Sequence, residues 1–215
     1  MSVPLVDPAA LGAFVVAALA IVLSPGPDTM LILRHALGHG RRAGFAAVAG
    51  VQAGLLTHTA LSVAGLSVAL ASSPRLFGAI AAAGALWLGW LGIQAMRGGA
   101  LPDTAARTGN RTTALSAGRD AMLTNLLNLK VLLLFLALMP NFVAPARGDV
   151  PAQLALLGAV LIAVNVLWQV GLVLAADAMR RLLTNPRVAR RLSQATGAVL
   201  LGFAALLVRD YLLPG

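Results

Sequence analysis

The stretch Ser24-Pro25-Gly26-Pro27-Asp28 interrupts what otherwise reads as one membrane-spanning helix over residues 9–33. Residues 9–23 carry no charge, and residues 29–33 are apolar again. Each proline removes a backbone N–H donor and clashes with the preceding turn, while Gly26 adds backbone freedom. In lipid, freed backbone groups persist only inside protein or beside a water-filled cavity, and a carboxylate at that depth marks a pathway or binding site. The stretch therefore predicts a functional break in the helix; the alternative is a kink that only shapes packing.

The composition is that of an integral membrane protein. Of the 215 residues, 59% are hydrophobic and 11% are charged, whereas a soluble domain has about 25% charged residues. The mean hydropathy is +0.87, and the length suits about six helices of roughly 20 residues with short loops. The net charge of +9 does not indicate nucleic-acid binding, because the basic residues lie between hydrophobic runs, where membrane insertion places them.

Several chemistries are excluded by the residues present. The chain has no cysteine, which excludes disulfides and thiolate metal sites. His35, His39 and His58 form no recognisable metal-binding pattern. The sequence shows no nucleophile–base arrangement, no paired carboxylates and no phosphate-binding glycine loop. We therefore expect no metal, no cofactor, no enzymatic activity and no ATP hydrolysis within this chain.

Six membrane spans are predicted, and the charge of the segments between them sets their orientation. The spans cover residues 9–33, 45–71, 76–96, 119–143, 152–176 and 192–213. Residues 1–8 contain no basic residue, so we interpret the first span as retained rather than as a cleaved signal peptide. Twelve arginines (34, 41, 42, 97, 107, 111, 119, 180, 181, 187, 190 and 191) fall on one side and three (75, 147 and 209) on the other. The basic side is expected to be cytoplasmic, which places both termini outside.

The polar linker at residues 98–118 divides the predicted spans into two sets of three. The halves are residues 1–97 and 119–215, which together form a single transmembrane transporter domain over residues 1–215. An odd number of spans in each half gives the halves opposite orientations, as in an inverted repeat. Placing Pro25 on Asn128 sets one polar interruption against another. The predicted fold is thus an all-α polytopic membrane protein with six transmembrane helices, a 3+3 inverted repeat, broken helices in spans one and four, and a cytoplasmic linker.

The two polar interruptions predict a central site. Broken helices in inverted-repeat transporters expose half-helix ends at the membrane midplane. The half-helix that begins near Asp28 offers N–H groups and a positive dipole end to a carboxylate. Asp28 itself suits an ammonium group or a proton, and Lys130 supplies a cation or the counter-charge of Asp28. A zwitterionic amino acid requires one site of each sign, so it matches this set of residues.

The candidate site residues come from both interruptions and from polar positions in other spans. They are Pro25, Gly26, Pro27, Asp28, Asn125, Asn128 and Lys130, with Gln52, His58, Asn165 and Gln169 as further candidates. Alternatives stay open: the Lys130 side chain could reach the membrane interface, and the two asparagines could join helices. His58 is interpreted as a hydrogen-bonded packing residue rather than a proton relay. The pair Gly50-x-x-x-Gly54 predicts close approach of another helix, and homo-oligomerisation is also left open.

Three segments resemble the lysine-exporter superfamily. They are residues 24–31, the loop Gly40-Arg41-Arg42-Ala43-Gly44, and Thr124-Asn125-Leu126-Leu127-Asn128-Leu129-Lys130. The chain is most similar to the homoserine/threonine-efflux branch, the LysE/RhtB-type translocators, and the similarity covers nearly its whole length. The family pattern at the last segment is Asn-Pro-Lys, whereas this chain has Leu129 in place of the proline. We therefore expect a less sharp break in span four.

The resemblance implies a secondary transporter in the cytoplasmic (inner) membrane. Its expected substrate is a small molecule, an amino acid or a close derivative, exported with energy from protons or the membrane potential. Two other classes remain: a transporter of inorganic ions or other small solutes on the same scaffold, and a membrane scaffold protein that transports nothing.

Overall fold

The structure is a computed structural model that describes residues 4–24, 26–97, 113–183 and 185–212. Every regular element in these ranges is helical, which confirms the predicted all-α class. The helices are α1 Pro8–Leu23, α2 Pro27–His39, α3 Arg41–Ser72, α4 Pro74–Met96, α5 Ala114–Leu126, α6 Leu129–Leu138, α7 Val150–Leu174, α8 Ala176–Leu183 and α9 Pro186–Leu212, with 3-10 turns at Met139–Phe142 and Pro145–Arg147.

Four described helices have the length and apolar composition to cross a membrane. The qualifying segments are Arg41–Leu66, Gly78–Met96, Val150–Leu174 and Pro186–Arg209. Helices α1 and α2 pass the same test as a pair, bent by 55° where they meet, and count as a fifth span if the pair is one broken span rather than a re-entrant loop. Helices α5 and α6 have 13 and 10 residues, each too few for the roughly 20 that one span needs. A sixth span therefore requires α5 and α6 together.

The start of α2, at the first break, differs from other helix starts because it has no side-chain cap. Proline occupies the first turn of α1, α2, α4 and α7, where its missing N–H is no loss. Asp7, Ser73, Thr113 and Asp149 cap α1, α4, α5 and α7 with their side chains. Helix α2 instead follows Gly26 and has no side-chain cap. Near its positive end it carries the acidic side chain of Asp28 in the first turn, where a negative charge is favourable.

Two basic segments predicted as loops, residues 34–44 and residues 180–191, are largely helical. Helix α2 continues to His39, and Gly40 alone separates it from α3, with a φ of 82° that favours glycine. The linker expected at residues 98–118 is helical from Ala114 onward, and residues 98–112 lie outside the described residues. The second basic segment also lies mostly in α8 and α9. Arginine is a good helix former, so basic composition alone does not end a helix.

Helix α3 is the central packing element, and glycines let its neighbour approach. A Cβ added to Gly50 would overlap the Gly118 carbonyl oxygen of α5, and one added to Gly54 would overlap the Asn125 side chain. The predicted close approach at this glycine pair is confirmed, with α5 as the partner. Helix α4 packs along α9, where Gly92 and Gly197 face each other's backbone.

The outer surface of the bundle is apolar, as contact with lipid requires. Large hydrophobic side chains are exposed on several helices: Leu56, Leu61, Val68, Leu86, Leu167 and Leu206. An exposed apolar surface of this extent is rare on soluble monomers. Polar side chains such as Gln153, Gln169 and Asn125 are instead buried inside the bundle. The distribution of polarity therefore agrees with the membrane class that the composition predicts.

Replacing Gly50 with alanine is expected to destabilise the bundle. The added methyl group meets the backbone of Gly118, which cannot rotate away, and overpacking of this kind costs about 1–3 kcal/mol. The melting temperature of purified protein in detergent measures the effect. Gly65→Ala on the same helix is the control, since nothing lies within 4 Å of its added methyl. Equal melting temperatures for the two variants would contradict the close approach of α3 and α5.

Candidate functional site

The first break separates α1 from α2 within residues 24–28. Helix α1 ends at Leu23, and Ser24 is extended with φ −67° and ψ 117°. Pro25 lies outside the described residues. Gly26 is extended and buried, and its carbonyl accepts from the N–H of Met30 at 3.1 Å, which starts the first turn of α2.

The second break lies between α5 and α6. Helix α5 ends at Leu126, Asn128 stands outside both helices, and its carbonyl accepts the N–H groups of Val131 and Leu132 at 2.9 and 3.0 Å. The helix is thus interrupted although Leu129 replaces the proline of the family pattern. Asparagine is a weak helix former because its amide competes for other hydrogen bonds, and here the Asn128 amide turns toward Asp28.

The two breaks meet through the carboxylate of Asp28. The Asn125 Nδ2 group donates to Asp28 Oδ2 at 2.7 Å, and the Asn128 Nδ2 group lies 3.5 Å from Asp28 Oδ1. Asn125 is fully buried and Asp28 is partly buried. Hydrogen bonds to an ionised group are about twice as strong as neutral ones. The structure thus brings together Asp28, Asn125 and Asn128, while the side chain of Lys130 lies outside the described part.

A cavity opens between the two breaks. Its empty volume, counted together with the solvent space at its open mouth, is ≈ 540 Å³. The lining residues are Ile21, Val22, Ser24, Gly26, Pro27, Asp28, Thr29, Leu55, Asn128, Val131, Leu134, Leu161, Asn165 and Gln169. The start of α2 and the second break therefore open on one space, with a carboxylate among mainly apolar walls.

Three further candidates from the sequence form one hydrogen-bonded cluster beside this cavity. The Gln52 Nε2 group of α3 donates to Asn165 Oδ1 at 3.1 Å and to Gln169 Oε1 at 2.9 Å, both on α7. Asn165 and Gln169 line the cavity. Gln52 lies behind them, and its Oε1 atom is buried without a partner in the described structure.

His58 lies behind the second break and is not among the described cavity-lining residues. Its Nε2 atom is 3.3 Å from the backbone oxygen of Asn125, and its ring centre is 5.6 Å from that of Phe135. The side chain is 4% exposed. This geometry supports the segment that carries Asn125 and offers no direct contact with a solute in the cavity.

The sequence analysis missed most of the cavity wall. Ser24 and Thr29 flank the first break, and the remaining lining positions that were not predicted are apolar: Ile21, Val22, Leu55, Val131, Leu134 and Leu161. The four-residue spacing of Leu161, Asn165 and Gln169 could have identified Leu161, because such residues share one helix face. The remaining apolar positions give no signal, since core and cavity leucines look alike in sequence. Among the described residues, no group of three or more His, Asp or Glu could hold a metal ion.

A helical membrane protein whose broken helices meet around a cavity that contains a carboxylate has the architecture of a solute transporter. The pattern of the LysE type translocator family matches residues 19–211. The chain therefore belongs to that family, which confirms the resemblance seen in its motifs, and it is a membrane translocator.

Its relatives include proteins described as amino-acid efflux proteins. A homoserine/homoserine lactone efflux protein of Salmonella typhimurium is 30% identical over 197 residues, 91% of this chain and 94% of the relative. A leucine efflux protein of Enterobacter is 27% identical over 195 residues, 90% and 92% of the two chains. An uncharacterized membrane protein of Vibrio cholerae is 31% identical over 195 residues, 91% and 94%. No solved structure matches the chain.

A double-mutant cycle on Asp28 and Asn125 is expected to show energetic coupling. The 2.7 Å hydrogen bond between them predicts that Asp28→Ala and Asn125→Ala, each of which removes one partner, deviate from additivity by about 0.5–3 kcal/mol in unfolding free energy. Chemical unfolding in detergent gives the four values of the cycle. Asn141→Ala is the control partner, because its amide donates to the Ala137 carbonyl. Additive effects for Asp28 with Asn125 would show that the bond contributes nothing.

Proposed function

We propose that the chain is a secondary transporter that exports amino acids or close derivatives across the cytoplasmic membrane. The observation that carries the proposal is the carboxylate of Asp28, held at one helix break by amides from the other and open to the cavity between them. A carboxylate in this position binds the ammonium group of an amino acid or the coupling proton. The relatives described as homoserine and leucine efflux proteins support the same substrate class.

The start of α2 binds the substrate carboxylate in this proposal. Gly26 precedes the helix without a side-chain cap, and Gly26, Pro27, Asp28 and Thr29 all line the cavity. A helix start attracts anions through its N–H groups and dipole. The negative carboxylate of Asp28 and the positive start of α2 thus present opposite polarity to one solute. Lys130 is retained as a candidate counter-charge on the strength of the sequence alone.

We also propose that the two halves form an inverted repeat of three spans each, with α5 and α6 together as the fourth span. In that scheme α1, α2, α3 and α4 correspond to α5, α6, α7 and α9. Two sets of related pairs make matching contacts: α3 with α5 and α1 with α7, and α2 with α7 and α3 with α6. The α3–α7 and α4–α9 contacts fall on the proposed axis. These pairings support a pseudo-two-fold arrangement around the breaks.

The proposed topology places the basic segments in the cytoplasm and both termini outside. Cysteine is absent from the chain, so single cysteines introduced at the exposed positions Ala146 and Arg187 report their own accessibility. An impermeant thiol reagent added to intact cells is expected to label Ala146→Cys and not Arg187→Cys. Permeabilised cells serve as the control, since both variants should then react. The reverse pattern would contradict the orientation.

Replacing Asp28 with asparagine tests the transport mechanism. The substitution keeps the side-chain shape but removes the charge that binds ammonium or proton, so net export should be abolished or lose its dependence on pH. Proteoliposomes loaded with radiolabelled amino acids measure the rate. Asp120→Asn, at an exposed carboxylate of α5, is the matched control and should export at the wild-type rate. Wild-type export and unchanged pH dependence in Asp28→Asn would reduce Asp28 to a structural role and refute the mechanism.

A further inference from the structure

The amide cluster of Gln52, Asn165 and Gln169 has no role in the proposed binding of the substrate's ammonium and carboxylate groups. It lies on α3 and α7, away from both helix breaks in sequence, yet two of its members line the same cavity as Asp28. Leu161, Asn165 and Gln169 follow one another at four-residue spacing on the cavity face of α7. This face of α7 is apolar at one end and polar at the other. It therefore suits the uncharged side chain of a substrate rather than the substrate's ammonium or carboxylate group.

The hydrogen bonds within the cluster determine which of its amide atoms remain able to bind a solute. Both donor hydrogens of the Gln52 amide are used, toward Asn165 Oδ1 and Gln169 Oε1. Asn165 and Gln169 thereby turn their NH2 groups away from Gln52, and no described group accepts from those nitrogens. Rotating the amide groups of all three side chains by 180° keeps the same hydrogen bonds but exchanges donors and acceptors, so that Gln52 Oε1 accepts from both neighbours. In that second arrangement the two side chains offer carbonyl oxygens instead.

A group that both donates and accepts hydrogen bonds fits the cluster in either arrangement. Hydroxyl and carboxamide groups have that property, whereas aliphatic side chains have neither function. An aliphatic group placed against the cluster would leave desolvated amides without partners, at a cost of about 1–3 kcal/mol for each buried group. The apolar wall formed by Leu55, Leu134 and Leu161 accommodates the methylene part of either kind of side chain.

We propose that the amide cluster is the subsite that contacts the side chain of the transported amino acid. It selects uncharged side chains with a hydroxyl or carboxamide group over branched aliphatic ones. Asn165 and Gln169 touch the substrate, and Gln52 is a positioning residue that holds both of them. The inference rests on the proposed function, because Asp28 and the start of α2 take the main-chain groups.

The experiment measures substrate preference in proteoliposomes that contain the purified full-length chain. Counterflow of radiolabelled threonine, glutamine and leucine is compared for wild type, Gln169→Leu and Gln52→Leu. The ratio of kcat/KM for threonine or glutamine over leucine is expected to fall about tenfold in each variant, the equivalent of one lost hydrogen bond. Gln94→Leu on α4, outside the cavity lining, is the matched control and should keep the wild-type ratio.

The outcomes separate this inference from the proposed function. If the variants lose threonine, glutamine and leucine transport equally, the cluster is structural and the inference falls, while amino-acid export stands. A wild-type preference for leucine also overturns the inference and leaves export intact. Exchange of none of the three amino acids by wild type overturns the inference but not amino-acid export, which covers other substrates. Asn165→Leu is the substitute if Gln169→Leu fails to reach the membrane, and an unchanged ratio in that variant contradicts the subsite.

Discussion

A break in a membrane helix must be compensated by other parts of the protein, and this constraint organises the structure. Lipid offers no hydrogen bonds to freed backbone groups or to a carboxylate. The chain meets the requirement by setting its second break against the first, so that Asn125 and Asn128 donate to Asp28. The two breaks depend on each other, because the second supplies the amide donors and the first supplies the carboxylate that accepts from them. The cavity is the space that remains where the two interrupted helices separate.

Helix α3 holds the parts of this arrangement in register. Gly50 and Gly54 bring it against α5, which places Asn125 at the carboxylate. His58, four residues after Gly54 on the same helix, has its Nε2 atom 3.3 Å from the Asn125 carbonyl oxygen. From the same helix, Gln52 binds the α7 side of the cavity. Helix α3 thus contacts both the segment that holds Asp28 and the amide cluster of Gln52, Asn165 and Gln169, so a shift of α3 would disturb both at once.

Local sequence patterns predict part of the fold and part of the candidate site. Two prolines, a glycine and an acid within five residues identify the first break, and the hydrophobic runs identify the helices. The basic segments were wrongly interpreted as loops, since charge reports where a residue meets water rather than where a helix ends. The bonds from Gln52 to Asn165 and Gln169 join positions 113 and 117 residues apart. Such contacts depend on how α3 packs on α7, which no local pattern of the sequence contains.

Recognition of an amino acid divides into two physical problems, and the proposed site assigns a separate part of the cavity to each. Every amino acid carries the same ammonium and carboxylate, so the carboxylate of Asp28 and the start of α2 cannot tell one from another. Discrimination is a difference between two affinities and must come from groups that meet the side chain. Asn165 and Gln169 are the polar cavity residues outside the two breaks and their flanking positions in the described structure. Changing them should therefore redirect the transporter without disabling it, whereas changes at the breaks should stop transport of every substrate.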